Sequence, residues 1–226
     1  MGDRAAKDAL YDGLSEVAKA MGNGRRAELV DVLAQGERHV EDLAAMLGQS
    51  VSNTSFHLQA LARAGLVTTR RDRTRVYYAL ASEQVADLWA VMREVASAHL
   101  HTIDELAAAY LGDREQLEQI GREELAARLA SGGVLVIDVR PDAEFRAGHI
   151  AGARSVPIEG LARQIRRLPA DVEIVAYCRG PMCVFADDAV RLLQRRGRRA
   201  RRLVDGYPEW RRARLPIEPA ICDMTV

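Results

Sequence analysis

The sequence predicts two domains, a mostly helical one that carries a β-hairpin and an α/β one built on a parallel sheet. Two observations point there. Apolar residues recur at helical spacing up to about residue 111, with one alternating stretch at 66–80, and from residue 119 onward helical and strand patterns take turns. The boundaries that follow are 1–111 for the first domain, 112–118 for a linker and 119–226 for the second. With 226 residues, 48% of them hydrophobic and 28% charged, the chain can bury two small cores.

Each element has its own signal. Leu10, Leu14, Val17, Ala18 and Met21, then Leu29, Val32 and Leu33, recur at helical spacing on either side of Gly22-Asn23-Gly24, which makes two helices. Val40 to Leu47 reads as a third helix closed by Gly48, and Ser50 caps a fourth that runs to Arg63 before Ala64-Gly65 ends it. Helix, tight turn, helix is the arrangement. LVTTRRDRTRVYYAL, from Leu66 to Leu80, alternates around a charged tip and predicts a two-stranded hairpin, a wing after the helix pair. From Ser82 onward Val85, Leu88, Trp89, Met92, Val95, Ala96, Leu100, Ile103, Leu106, Ala107 and Tyr110 form one stripe near a heptad period. If that helix runs unbroken to Leu111 it spans about 45 Å at 1.5 Å per residue, too long for so small a domain to cover, so a homodimer is expected. Gly112 and the charged 113–118 mark the linker. Beyond it, Glu123 to Leu129, VLVID, Leu161 to Leu168, EIVAY, Val184 to Arg196 and RRLVD alternate as a parallel α/β sheet requires.

Composition removes several classes. The N-terminus has no cationic segment followed by an apolar one, and no run of roughly 20 apolar residues occurs, so a cytoplasmic protein without a membrane partner is expected. Three cysteines, Cys178, Cys183 and Cys222, are too few and too clustered for a disulfide framework, which leaves reactive thiols. Net charge is zero, yet residues 49–75 hold Arg63, Arg70, Arg71, Arg73 and Arg75 against the single acid Asp72. The seven arginines between Arg191 and Arg202 read as a solvated helix face, with a DNA or partner contact as the alternative.

In the fourth helix Val51, Ser55, Leu58 and Leu61 share one face, leaving Ser52, Asn53, Thr54, Phe56, His57, Gln59 and Arg63 on the others. Asn and Gln can bond two base-edge atoms at once, Ser, Thr and Arg can hold phosphates, and Arg70, Arg71, Arg73 and Arg75 of the wing can reach the neighbouring backbone. A polar surface helix with an ordinary hairpin has the same composition. What separates the two is that SVSNTSFHLQALARAGLV followed by RVYYAL resembles the recognition helix and wing of the ArsR family of bacterial repressors, over about residues 5–110. The resemblance implies a winged helix-turn-helix that acts as a homodimer on an inverted repeat in double-stranded operator DNA. Asp72-Arg73 stands at the wing tip where the family often has Gly, which leaves the turn type open. The third helix, RHVEDLAAML, has no cysteine, and His39, His99 and His101 give no complete ligand set, so neither metal nor cofactor is expected.

EIVAYCRGPMCVFADDAVRLLQRRG reads as a buried strand, a loop that starts at Cys178 and a helix from about Val184. A nucleophile at the carboxyl end of a parallel strand faces the crevice where such sheets bind ligands, and backbone N–H groups with the next helix N-terminus stabilise an anion there. Cys178 should therefore ionise more readily than a free thiol, with Arg179 as a cation to orient an anionic sulfur donor. On these residues alone, a buried cysteine that merely ends a strand stays open.

VIDVRPDAEFRAGHIAGARSVP and LVDGYPEWRRARLPIE are similar to the motifs that flank the cysteine of rhodaneses, over about residues 119–219. The resemblance implies a rhodanese-like fold in which Cys178 takes a sulfane sulfur from thiosulfate, polysulfide or a persulfide and holds it as a persulfide. Arg179, Gly180, Pro181, Met182 and Cys183 would form the cradle. Asp138 and Arg140 would hold the loop in place, with Glu144 as a partner of Arg140 and His149 as a structural residue. Two departures stand out: Pro181 removes an N–H donor, and Cys183 closes the loop. Cys183 and Cys222 are candidate resolving thiols, although Cys183 also suits a small buried position at a helix start. The functional expectation is a DNA-binding repressor that senses reactive sulfur through Cys178. The alternatives are a sulfurtransferase with an autoregulatory DNA-binding domain, or a metal-responsive repressor, which the missing ligands disfavour.

Overall fold

Side-chain caps set where the N-terminal helices begin. Asp3 accepts from the Ala5 N–H ahead of α1 (Arg4–Met21), Asn23 from those of Arg25 and Arg26 ahead of α2 (Gly24–Leu33), and Ser50 from that of Asn53 ahead of α4 (Val51–Arg63). The computed structural model describes residues 2–219. The chain divides into two compact units, Met1–Met92 and Arg93–Val226.

In the first unit β1 (Arg38–His39) precedes α3 (Val40–Met46), and the hairpin is β2 (Val67–Asp72) with β3 (Arg75–Leu80), paired antiparallel from Val67↔Leu80 to Asp72↔Arg75. The three strands lie in the order β1-β3-β2. Leu29, Val30, Leu43, Leu58, Leu61 and Tyr78 close one core under the helix pair and wing. Arg73 turns the wing tip at φ 53, so the left-handed position is filled by an arginine where glycine would be the easy choice.

The long helix expected from Ser82 to Leu111 is two. α5 (Glu83–His99) is followed by α6 (Thr102–Leu111), with a turn at 100–101 between them. Thr102 opens the second helix with Asp104 and Glu105 in its first turn, a composition that favours a helix start over a helix interior. α5 alone, with 17 residues, is about 26 Å long at 1.5 Å per residue. The division between the two units falls inside it, at Met92/Arg93. Shortening does not cover the stripe: Leu88, Val95, Leu100, Leu106 and Tyr110 are exposed, as are Leu10, Tyr11 and Leu14 on α1.

The second unit continues with β4 (Gln119–Ile120), α7 (Arg122–Ser131), β5 (Val134–Asp138), α8 (Asp142–Ala147), β6 (Gly148–Ile150), β7 (Arg154–Ser155) and α9 (Ile158–Gln164). After a 3-10 turn at Ile165–Arg167 come β8 (Glu173–Tyr177), α10 (Phe185–Arg195), β9 (Ala200–Leu203), α11 (Tyr207–Arg212) and β10 (Ile217–Pro219). Five strands form a parallel sheet in the order β4-β9-β8-β5-β7, while β6 and β10 pair antiparallel apart from it. Strand alternation sorts the side chains: Ile174, Ala176 and Cys178 enter the core under α9 and α10, and Val175 and Tyr177 the core on the other face with Leu125 and Trp210. The chain leaves β5 for β7 on one side and returns to β8 on the other. That reversal places the carboxyl end of β8, hence Cys178, at the sheet's switch point.

The 112–118 segment is less of a free linker than its composition suggests. Leu117 is buried in the same cluster as Cys178, and the Arg202 N–H donates to Glu118 O at 2.9 Å. Among the described residues no helix is long and apolar enough to cross a membrane.

Candidate functional site

The polar face of α4 is displaced from its expected phase. Ser52, Asn53, Phe56, Gln59 and Arg63 are exposed and His57 is half-buried, but Thr54 is 1% exposed while Val51 is 44% exposed. Thr54 therefore does not belong to the outward set. It shares the inner face with Leu58 and Leu61, four and seven residues on, and its hydroxyl donates to Ser50 O at 3.0 Å, so burial leaves no donor unmet. On the wing Arg71, Arg73 and Arg75 are exposed. Arg70 is engaged: two of its nitrogens donate to Glu37 at 2.6 and 3.0 Å and its guanidinium lies 4.6 Å from the Tyr77 ring centre. Glu37 carried no sequence signal, being 33 residues away.

His39 acts locally, accepting from Asp42 N–H at the start of α3 and pairing with Glu41 at 2.9 Å. His99 and His101 are exposed. Among the described residues no group of three or more His, Cys, Asp or Glu side chains is placed to hold a metal ion.

Cys178 follows β8 directly and is 1% exposed; Cys183, half-buried, stands where the loop meets α10. The Cys178 thiol donates to Gly180 O at 3.9 Å and to Cys183 O at 3.7 Å, and the Cys183 thiol is near enough for each to affect the other's ionisation. N–H groups of Gly180 and Ala186 favour charge on the Cys178 sulfur, and those of Phe185 and Arg179 favour it on the Cys183 sulfur. Backbone donors thus come from the loop's first residues and from the first turn of α10, and Pro181 is bypassed. Burial pushes the Cys178 thiol well above its ordinary value, whereas the Cys178 S–H, outweighing burial, brings Cys183 down to about 7. Burial in the apolar core thus opposes the ready ionisation expected of Cys178, while the more accessible Cys183 is favoured as thiolate.

The loop is held from several sides. Tyr207 N–H donates to Cys178 O at 3.2 Å, and a Cβ at Gly206 would stand 2.3 Å from the Gly180 nitrogen, so only glycine permits this approach. Arg179 donates to both oxygens of Glu144, the shortest bond being 2.6 Å, and its guanidinium stacks 5.3 Å from the Phe185 ring centre. The loop's one cation is thus anchored to a buried carboxylate, and its charge favours the thiolate of Cys183. Asp138 and Arg140 are fully buried beneath the loop: Arg140 donates to Asp138 at 2.6 Å and to Gly148 O at 2.8 Å, while the Tyr177 hydroxyl donates to Asp138 at 2.5 Å. Burial opposes the Arg140 charge, but Asp138, Tyr177 and Glu144 together keep its pKa raised. His149 is buried, stacked 3.6 Å from Phe145, and bonded at 3.0 Å to Phe145 O and to Glu218.

Sequence reasoning missed four residues of this site. Buried Asp187, in the first turn of α10, meets Arg114 at 2.6 Å and Arg202 at 2.8 Å, and Arg114 also donates to Pro181 O and Cys183 O. Glu209 accepts from the Gly206 N–H at 3.0 Å. Only Glu209 had a visible cue, since it stands three residues after Gly206 at a helix start. Cys222 lies outside the described residues.

A capped helix pair with its hairpin, and a cysteine cradled at the switch point of a parallel sheet, define a transcriptional regulator of the winged helix-turn-helix class joined to a rhodanese-like domain. Two family models match along these lines, "Bacterial regulatory protein, arsR family" over residues 23–69 and "Rhodanese-like domain" over residues 121–213. The HTH-type transcriptional regulator Rv0324 of Mycobacterium tuberculosis is 47% identical over 217 residues, covering 96% of this chain and 95% of that one. The chain belongs to the arsR family of bacterial transcriptional regulators and carries a C-terminal rhodanese-like domain. A sulfurtransferase of Allochromatium vinosum is 32% identical over 102 residues, 45% of this chain and 94% of that one. Among solved structures, the homodimeric winged helix-turn-helix DNA-binding domain of a possible ArsR-family regulator from Mycobacterium bovis is 46% identical. It covers 45% of this chain and 94% of that chain at a TM-score of 0.42.

Proposed function

We propose that this regulator is a cytoplasmic homodimeric repressor that binds an inverted repeat in double-stranded DNA and is released when reactive sulfur loads Cys178. The observation that carries the reading is the pair of free thiols, Cys178 and Cys183, at the two ends of one short loop between β8 and α10, with the Cys178 thiol donating to the Cys183 carbonyl at 3.7 Å. Such a pair suits sulfur transfer. Cys183, as the thiolate, accepts the Cys178 proton; the Cys178 sulfur bonds to the outer sulfur of the donor, and the donor's S–S bond breaks. Its electron pair leaves on sulfite when the donor is thiosulfate, or on a thiolate when the donor is a persulfide or polysulfide. Cys183 is then the resolving thiol: it attacks Cys178 Sγ, a disulfide forms, and the outer sulfur leaves as hydrosulfide, carrying away the proton that Cys183 had accepted.

On the DNA side Ser52, Asn53, Phe56, Gln59 and Arg63 form the outward face of α4, with His57 at its edge and Arg71, Arg73 and Arg75 on the wing. The exposed apolar residues of α1, α5 and α6 support a second copy of the chain as the partner that covers them. A gel-shift titration of operator DNA, with and without polysulfide, tests the reading. Weaker binding by the sulfur-loaded protein supports it, and equal binding favours a sulfurtransferase that only regulates its own expression.

A further inference from the structure

A guanidinium group that precedes the rhodanese-like match at 121–213 grips the Cys178 loop, and a second lies beside it. Arg114, three residues past the end of α6, donates from Nη1 to Pro181 O at 2.7 Å, from Nη2 to Cys183 O at 3.0 Å and from Nε to Asp187 at 2.6 Å. Those acceptors lie on both sides of the loop's end and in the first turn of α10. One rigid planar fork therefore sets the loop's closed shape, which a flexible lysine ammonium could not do. The segment around Arg114 is itself fastened, because Arg191 donates to Asp113 O at 2.6 Å and Leu117 is buried. On the loop's other flank Arg93 of α5 pairs with Glu209, and a Cβ at Gly180 would meet that carboxylate at 3.3 Å.

Loading Cys178 collides with this clamp. The thiol is 1% exposed in a packed cluster, so an added sulfur atom has to displace a neighbour, and the loop is the irregular segment beside it. A Cys178–Cys183 bond acts on the same element, since Arg114 holds the carbonyl of Cys183 itself. We propose that Arg114 is the positioning residue through which sulfur chemistry at the loop reaches α6: the reduced loop keeps the fork engaged, and the loaded loop releases it together with residues 112–118. This rests on the sulfur-responsive reading above.

The test uses the full chain, polysulfide as the sulfur source, intact mass to select fully loaded protein, and operator affinity as the readout. Wild type should lose about fivefold or more in affinity on loading, the lower end of ordinary allosteric coupling. R114A should already bind weakly when reduced, and loading should change it by less than about twofold. In a C178S background, which cannot load, R114A should impose the same weak binding, because the fork acts downstream of the cysteine. R114K carries the same test if R114A is not recovered folded, as lysine cannot span three acceptors. Reduced R114A that binds tightly and is released by sulfur as wild type is would overturn the proposal. A wild type that ignores sulfur removes the underlying reading instead.

Discussion

Burial and the neighbouring thiol together bias the charge at the cysteine pair. Burial pushes Cys178 well above its ordinary value, whereas the adjacent Cys178 S–H brings Cys183 down to about 7. The thiolate is the alkylating form, so the rate at which iodoacetamide modifies Cys183 should rise with pH through a midpoint near 7. In C178A that S–H donor is gone, and the midpoint should move upward. A midpoint unchanged by C178A would mean that the neighbouring thiol does not set it. Close approach governs Gly206 in the same residue-level way. G206A puts a methyl group 2.3 Å from the Gly180 nitrogen, and overpacking of this kind costs roughly 1–3 kcal/mol. Its thermal midpoint should drop, and sulfur loading should slow because the loop is pushed off Cys178.

For the secondary-structure elements, local chemistry was readable and long-range pairing was not. Asn23, Ser50 and the Gly22-Asn23-Gly24 break acted within a few residues of themselves, so helix starts could be taken from the sequence. Thr54 failed because polarity was read as exposure, although its hydroxyl finds an acceptor one turn back and the helix phase turns it inward. Arg70 was taken for a phosphate contact, yet it is held by Glu37 across the sheet. These differences give the elements distinct expectations. Replacing Arg73 and Arg75 with alanine should weaken DNA binding at all sequences and flatten its salt dependence, as for phosphate contacts, with a smaller effect from Arg70 alone. Asn53→Ala should change sequence preference, whereas Thr54→Ala should lower stability and leave preference intact. Competition gel shifts over a set of altered operators separate these results, and unchanged salt dependence in the wing double variant would remove the wing from the interface.

Taken whole, the molecule's two-part plan and the loop that starts at Cys178 were legible, because a strand-loop-helix around Cys178 and a helix pair with a hairpin each lie within a short stretch of chain. The contacts that fasten residues 112–118 within the second unit were not. Arg114 meets partners 67 to 73 residues away, and within a charged stretch nothing marks one arginine as a clamp. The arginines of 191–202 show the same effect, since Arg198 is bonded to backbone carbonyls, Arg201 to Glu173 and Arg202 to Asp187, roles that a basic run does not disclose. The exposed stripes on α1, α5 and α6 lead to one prediction at this scale: the protein sediments as a dimer at micromolar concentration, and a monomer there would contradict the assignment of those faces. The central claim is that sulfur on Cys178 alters DNA binding. Its most direct test is operator affinity measured on protein whose Cys178 is fully persulfidated or bridged to Cys183, as verified by intact mass, beside the reduced protein and C178S. The account predicts weaker binding by the loaded wild type and no response from C178S. Equal affinity of loaded and reduced wild type would contradict it.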